Sequence, residues 1–412
     1  MHVLAPAKAL NDPPQAYDGA GSDSQQAGGT GVGASALHDL VVEIATDRVH
    51  DATFRSIWRS LVAGGESPQK IYQTPELFEA LRELYPEDRI EVLSLVRLSE
   101  AAIVGVVPVR ITRHGLHFNI GPLKLFSVSV QVVIVLGSCP AVPPDVVVME
   151  YLSTQILSLF PSARALFMHA LPRQSRHWSS IEQFNGQRAL AACRIGPWRA
   201  CHTMPLPPTF NAYMDQFSSK KRYNLKRQLR LLGEQAGALA LVRIERPEQV
   251  DELMTALAGL TTALKRAALV RNTACTSLAR RSLLQCYVLR AGGEAMAVII
   301  GTRSREVLHI HNIFTIKQHA ALSVGTTALQ LVVRDAIDGG LGCIDFGYGT
   351  PNSEFRSSHV KQERATVLLF DRMTSISLLF YLHTVFVDAT EALIGALKWA
   401  RKKVARRVAR LA

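Results

Sequence analysis

The stretch "QCYVLRAGGEAMAVIIGTRSREVLHIHNIFT" (Gln285–Thr315) reads as a strand, a tight turn at Gly292 and Gly293, a long apolar strand, a second turn at Ser304 and a third strand. An earlier stretch, "EVLSLVRLSEAAIVGVVPVRITRHGLHFNIG" (Glu91–Gly121), follows the same plan. Its first turn is polar, at Ser99 and Glu100, and its second strand runs on towards Phe118. Self-similarity at this scale points to one supersecondary unit used twice.

The flanks extend the repeat. Before the first copy come an alternating strand in "LVVEIATDRV" from Leu40 and a helix through Phe54, Ile57, Trp58 and Leu61. A second helix follows, "TPELFEALRELYP", with Thr74 as cap, Pro75 in the first turn and Pro86 as stop. After the copy, strands at Val128–Leu136 and Ala165–Met168 enclose a helix at Val146–Leu159. Before the second copy a helix opens at Pro247 and carries Val250, Leu253, Leu257, Leu260 and Leu264 on one face. After it, Ala328, Leu329, Val332, Val333, Ala336 and Ile337 keep helical spacing until Gly339 and Gly340. A strand bearing "DFG" (Asp345–Gly347) comes next. The fold class is therefore α/β (α+β), with mixed sheets flanked by helices in two tandem modules, residues 40–205 and 206–372.

The chain has 412 residues, 48% of them apolar, ample for two cores. Its net charge of +12 is local. Six positive charges lie between Lys220 and Arg230 with no acid among them, and seven more between Lys398 and Arg410, which leaves the remainder at −1. That distribution argues for two anion-seeking devices on a near-neutral body and against a protein that coats nucleic acid. The six cysteines stand far apart, with no pair at metal-ligand or redox spacing, and read as buried small hydrophobes suited to a reducing cytoplasm. No metal is expected. Residues 1–39, rich in Gly, Ala, Ser and Gln, read as a disordered leader with no secretory pattern.

Two segments invite an anion. In "LSVGTTAL" (Leu322–Leu329), Ser323, Val324 and Gly325 make a short turn and Thr326 is placed to cap the following helix, whose first amides can hold a phosphate. In "SKKRYNLKRQLRLL" (Ser219–Leu232), Leu225, Leu229, Leu232 and Ala236 form a stripe opposite Arg222, Lys226, Arg227 and Arg230. Lys220, Lys221 and Arg222 crowd the first turn, where the helix dipole disfavours cations, and no acid interleaves, so the helix is expected to meet an anion.

Together with "IDFGYGTPNSEFRSSHVK" (Ile344–Lys361), these segments resemble the GNAT acyltransferase superfamily. The resemblance is to its double-GNAT branch, the CelD/BcsL-like (BioF2-like) acetyltransferase domain and, more distantly, the FemABX peptidoglycan aminoacyltransferases. It implies acyl transfer from acetyl-CoA or another acyl-CoA to an amine, or a hydroxyl, on a sugar or lipid-linked envelope precursor. It also implies that Ser323, Val324, Gly325 and Thr326 hold the donor's pyrophosphate, although Gln318, His319, Ala320 and Ala321 depart from the usual glycine-rich pattern. Phe355 and Arg356 match the family's aromatic-basic pair, with Arg356 beside the reacting carbonyl. Asp345, Glu354, His311 and Tyr348 are the candidate bases. Lys221, Arg222, Asn224, Arg227 and Phe355 are expected to bind a phosphate-bearing acceptor. His309 and His311 share one side of a strand and line the acyl cleft. A glycine-serine elbow is missing from the sequence, which argues against hydrolysis.

The remaining segment, 373–412, reads as an amphipathic basic tail. "ISLLFYLHTVFV" gives twelve mostly apolar residues before Asp388 and Glu391 interrupt, short of a bilayer span. Beyond it Leu397, Ala400, Val404, Val408 and Leu411 line up opposite Arg401, Lys402, Arg406 and Arg407, as in a helix lying on anionic lipid. The partners expected are an acyl-CoA, a phosphate or sugar acceptor and an anionic membrane at the cytoplasmic face, with nucleic acid not among them. Two other readings stay open. One is a FemABX-type aminoacyltransferase gripping tRNA. The other is a non-catalytic carbohydrate- or nucleic-acid-binding protein on the same fold.

Overall fold

A computed structural model of the protein describes residues 39–65, 70–121, 123–185, 190–262, 270–348, 359–374 and 376–411. The expected leader lies outside them, apart from Asp39. In chain order the strands are β1 (Leu40–Ile44), β2 (Arg89–Arg97), β3 (Ala102–Ile120), β4 (Leu123–Val135), β5 (Leu166–Pro172), β6 (Leu190–Pro205), β7 (Leu239–Ile244), β8 (Cys286–Ala291), β9 (Glu294–Ser304), β10 (Val307–Thr315), β11 (Cys343–Asp345) and β12 (Val360–Asp371). Contacts divide the chain into two compact units that interleave along the sequence. Among the described residues, one contains Asp88–Trp198 and the chain from Arg364 on together with residues 39–65, and the other contains residues 70–87 and Arg199–Glu363.

In the first unit the strand order is β1-β2-β3-β4-β5-β12. All neighbours are antiparallel except β4 and β5, which run parallel over Val133–Val135 and Leu166–Met168. In the second unit the order is β7-β8-β9-β10-β11-β6, again antiparallel except for one pair, β10 and β11, parallel over Val307–His309 and Cys343–Asp345. The two sheets are the same design, so the repeat read from sequence is a repeat of topology. The sixth strand of each is out of sequence. The first unit takes its sixth strand from the C-terminal part of β12, and the second takes its sixth from the C-terminal part of β6.

A parallel pair needs a crossover, and in both units a helix supplies it. Helices α1 (Ala52–Gly64), α2 (Pro75–Leu84) and α3 (Val146–Leu159) form as their spacing predicts. Thr74 caps α2, and Asp145 caps α3 by accepting from the amides of Val147 at 2.8 Å and Val148 at 3.3 Å. Crossover helix α3 buries Val148, Met149, Leu152 and Ile156 in the first core, against Val133, Val135, Leu166 and Met168. Helices α4 (Arg176–Phe184), α5 (Phe210–Asp215), α6 (Ser219–Ala236), α7 (Val250–Leu260) and α8 (Asn272–Arg280) follow. The expected helix from Pro247 starts as a short 3₁₀ turn and closes at Thr261, and Leu264 lies outside the described residues.

The second crossover helix, α9 (Val324–Asp338), packs with α5 and α6 on one side of the second sheet. There Val324, Ala328, Val332 and Val333 meet Leu225, Leu232, Leu308 and Ile310. Last comes α10 (Ser377–Leu411), whose Phe380 packs at 4.9 Å on Phe370 in the first unit. Its side chains from Arg401 onward, and that of Lys398, lie outside the described residues, and with them the expected basic face. The segment Ser377–Leu397, mean hydropathy 1.3, is by length and composition long enough to cross a membrane. That corrects the expectation that Asp388 and Glu391 cut it short.

Candidate active site

Strands β10 and β11 stop pairing at His309 and Asp345, and β10 runs on to Thr315 paired with β9. Both side chains are buried, and His309 Nδ1 stands 3.5 Å from a carboxylate oxygen of Asp345. The other carboxylate oxygen accepts the amide N–H of Gly347 at 2.8 Å, which the left-handed φ of +55° at Gly347 turns back onto the strand end. His309 Nε2 lies 3.4 Å from the Ser304 hydroxyl on β9, and the Tyr72 ring stands 6.3 Å from the imidazole.

Two residues on, β10 carries a bulge: the register passes from Ile310 opposite Gly301 to Asn312 opposite Ile300, leaving His311 as the extra residue. Its Nε2 reaches the Thr302 hydroxyl at 2.8 Å. His309 and His311 thus share one side of the sheet, as their alternation predicts, both meeting hydroxyls of β9. Burial, with the neighbouring His309, pushes the His311 pKa down to about 3, only partly opposed by Asp345. A ring held neutral so far below the working pH is a weak base and serves as a hydrogen-bonding group.

Beyond Asp345, Tyr348 lies under the Arg199 guanidinium, 4.4 Å from ring centre to carbon. Phe346 and His202 flank His359, with ring centroids 4.8 and 6.0 Å away. Burial pushes His359 down to about 4, and its two ring nitrogens are buried without a hydrogen-bond partner among the described residues. His202, His359 and Tyr72 join the neighbourhood without any signal in the local sequence. Glu354, Phe355 and Arg356 lie outside the described residues.

Strand β10 leads into α9, where the expected turn differs in detail. The cap is Ser323, not Thr326, and it stands in the left-handed region (φ 54°, ψ 41°) with no side-chain bond to the helix amides. Thr326 is buried within the first turn. Gly325 is helical, and a Cβ there would meet only the Thr315 methyl at 3.4 Å, so the strained residue is the serine. An uncapped first turn leaves the helix dipole and backbone N–H groups available to an anion.

Helix α6 corrects another expectation. Acids do pair with its cations, from just outside the run: Asp215 with Arg222 at 3.2 Å and Glu234 with Arg230 at 2.8 Å. Both pairs are solvent-exposed and contribute little. Lys221 sits 4.6 Å over the Phe217 ring, and Asn224 and Arg227 are exposed. Among the described residues no three His, Cys, Asp or Glu side chains gather as metal ligands would.

Comparison with known proteins gives a family match within this unit and structural likenesses that span both. Residues 219–356, about a third of the chain, match the acetyltransferase (GNAT) domain family. No curated protein matches the sequence. Among solved structures the chain is similar to FemX, 9% identical, over 80% of this chain and 98% of that one, with a TM-score of 0.55. A conserved protein of unknown function from Bacteroides thetaiotaomicron is 10% identical over 80% of this chain and all of the other, with a TM-score of 0.50. A tandem GNAT protein from the clavulanic acid biosynthesis pathway is 12% identical over 82% and 99%, with a TM-score of 0.46. The FemX-like fold expected from the sequence is the fold of this chain, and within it residues 219–356 match the acetyltransferase (GNAT) domain.

Proposed function

We propose, from a GNAT acetyltransferase domain in a FemX-like fold, that the chain transfers an acyl group from acyl-CoA to an amino group on a sugar or lipid-linked precursor of the cell envelope or an exopolysaccharide. One observation carries this reading. The copy matched by the acetyltransferase family is also the copy with a buried His309–Asp345 pair at its parallel strand ends and an uncapped crossover helix.

In this reading the donor pyrophosphate rests on the backbone of Val324, Gly325 and Thr326 and on the Ser323 hydroxyl. The acceptor nitrogen attacks the thioester carbonyl, a C–N bond forms, and the C–S bond breaks. The proton shed by the nitrogen passes to the Asp345–His309 pair and returns to the departing thiolate, giving the free thiol. His311, held neutral, positions the strand through Thr302. Tyr348 and Glu354 are the alternative bases for that same proton, Arg356 is the candidate donor to the oxyanion, and Phe355 lies against the acceptor in this reading. Lys221, Arg222, Asn224 and Arg227 are the proposed contacts to acceptor phosphate. Incubation with a panel of acyl-CoAs and amino sugars, followed by mass spectrometry and thiol titration, tests it. Thiol release that depends on the amine supports the reading, and release with no donor in the panel overturns it.

A second reading, aminoacyl transfer from tRNA, is favoured by the likeness to FemX and by the six cations of α6. It requires RNA binding that weakens steeply between two salt concentrations, measured by filter binding.

The same proposal takes the chain to the cytoplasmic face of an anionic membrane. In the first unit α10 exposes Leu378 (65% exposed), Leu382, Val385, Leu393, Leu397 and Trp399, and the β3–β4 hairpin exposes Ile120, Leu123 (61% exposed), Leu125 and Phe126. Exposed apolar side chains grouped in this way suit a membrane surface. Phe380 and His383 of α10 are buried at Phe370 and Phe118, so the helix is read as lying on the bilayer and not crossing it. Removing residues 398–412 spares that core and should abolish sedimentation with anionic liposomes. Full-length protein that resists both salt and carbonate extraction would contradict a surface mode.

A further inference from the structure

Helices α5, α6 and α9 of the second unit enclose a pocket of about 570 Å³, within the range that takes a small molecule. Three cations line it: Arg222 and Lys226 from α6 and Arg334 from α9. They come from helices about a hundred residues apart in sequence, and Asp215, the one acid on the lining, pairs with Arg222 at 3.2 Å, which leaves the lining net positive. Like charges drawn to one cavity repel unless an anion joins them. The Arg334 guanidinium carbon stands 4.5 Å over the centre of the Phe210 ring, a contact that holds the head group at the pocket while its N–H groups remain donors.

Two other features give the ligand's remaining chemistry. The pocket's flanks are apolar, from Met214, Leu229 and Leu331 beside Phe210. Gln330, 5% exposed, lines it too, and its Oε1 is buried with no hydrogen-bond partner among the described residues. A buried acceptor left unmatched is costly, and a ligand N–H or O–H removes that cost. A polynucleotide would need a long groove with free rings for stacking, whereas here the ring of Phe210 is already covered by Arg334.

We propose that this pocket binds a phosphate ester carrying an apolar group and a hydrogen-bond donor. Arg222, Lys226 and Arg334 hold the phosphate, and Gln330 accepts from the donor. The site is separate from the turn at Ser323: Gln330 lies six residues along α9 from Val324, about 9 Å at the helix rise. It is read by binding alone, so it can fail while the acyl-transfer reading stands, and the reverse.

Isothermal titration with phenyl phosphate, inorganic phosphate and benzyl alcohol tests it. Phenyl phosphate should bind saturably and at least about tenfold tighter than either half alone. The double variant Lys226→Gln, Arg334→Gln changes two exposed side chains and should lower that affinity at least about tenfold, with the thermal midpoint unchanged. Lys220→Gln with Arg230→Gln removes the same charge from α6 outside the pocket and should change it less than about twofold. Equal losses in the two double variants, or no saturation by about 10 mM, would overturn the proposal by reducing it to diffuse charge. CoA and 3′-dephospho-CoA then identify the carrier. Weaker CoA binding in the pocket variant assigns the site to a donor phosphate, whereas unchanged CoA binding beside lost phenyl phosphate binding assigns it to a phosphorylated acceptor, and both outcomes support the site.

Discussion

The two copies share a topology and differ where a ligand would sit. In the first, the last parallel pair is Val135 with Met168, both fully buried and apolar. In the second, the corresponding pair is His309 with Asp345. In the first, Asp145 closes the crossover helix and places a carboxylate on its first amides. In the second, Ser323 leaves that turn without a side-chain cap. A carboxylate at a helix N-terminus satisfies the same dipole that would attract a phosphate, so one copy has filled its anion site with its own side chain. The two copies share one scaffold, and the proposed function gives packing to the first and chemistry to the second.

The sharpest way to break that assignment is Asp345→Asn, which keeps an acceptor for the Gly347 amide and removes the charge beside His309. Turnover should fall about 100-fold or more, the range for loss of a positioned proton acceptor. A steady-state assay showing near wild-type kcat would return the second copy to the status of the first. Next in size is Gly325→Asp, which places a carboxylate in the first turn of the second unit's crossover helix, two residues past the cap position that Asp145 holds in the first. Acyl-CoA affinity should drop at least about tenfold, about 1.4 kcal/mol, in a folded protein, since aspartate suits a first helical turn.

The mirror change, Asp145→Ala, should lower stability by about 1 kcal/mol through loss of the cap, read from denaturant midpoints, and leave acyl-CoA binding unaltered. The smallest expected effect is on pH. His311 and His359 in the second unit and His114 in the first are held neutral by burial, at about 3, about 4 and about 4. Each is depressed below its unfolded value of about 6.5, so the unfolded chain takes up protons first as pH falls. Their contribution is present above pH about 6.5 and is lost as pH drops towards 4, and His359→Leu should flatten the fall in thermal midpoint over that window.

Much of this was legible in the chain because it is local. Alternation in Glu91–Gly121 and Gln285–Thr315 marks the hairpins, and helical spacing fixes Val146–Leu159 to the residue. What pairs at a distance left no local trace. Nothing in residues 70–87 says that they pack with the second unit, and nothing in β6 or β12 says that each completes the sheet of the other copy. The bulge at His311 is a register event between two strands. The left-handed Ser323 was hidden because Gly325, two residues on, looks like the natural bearer of that conformation. Arg334 was invisible as a partner of Arg222 because a charge count along one helix cannot see a second helix.

The central claim, one donor site and in the second copy, is tested most directly by calorimetric titration of acetyl-CoA into the wild type and the Gly325→Asp variant. One site per chain, lost in the variant, is the predicted result. Two sites per chain, or a single site that survives Gly325→Asp unchanged, would contradict it.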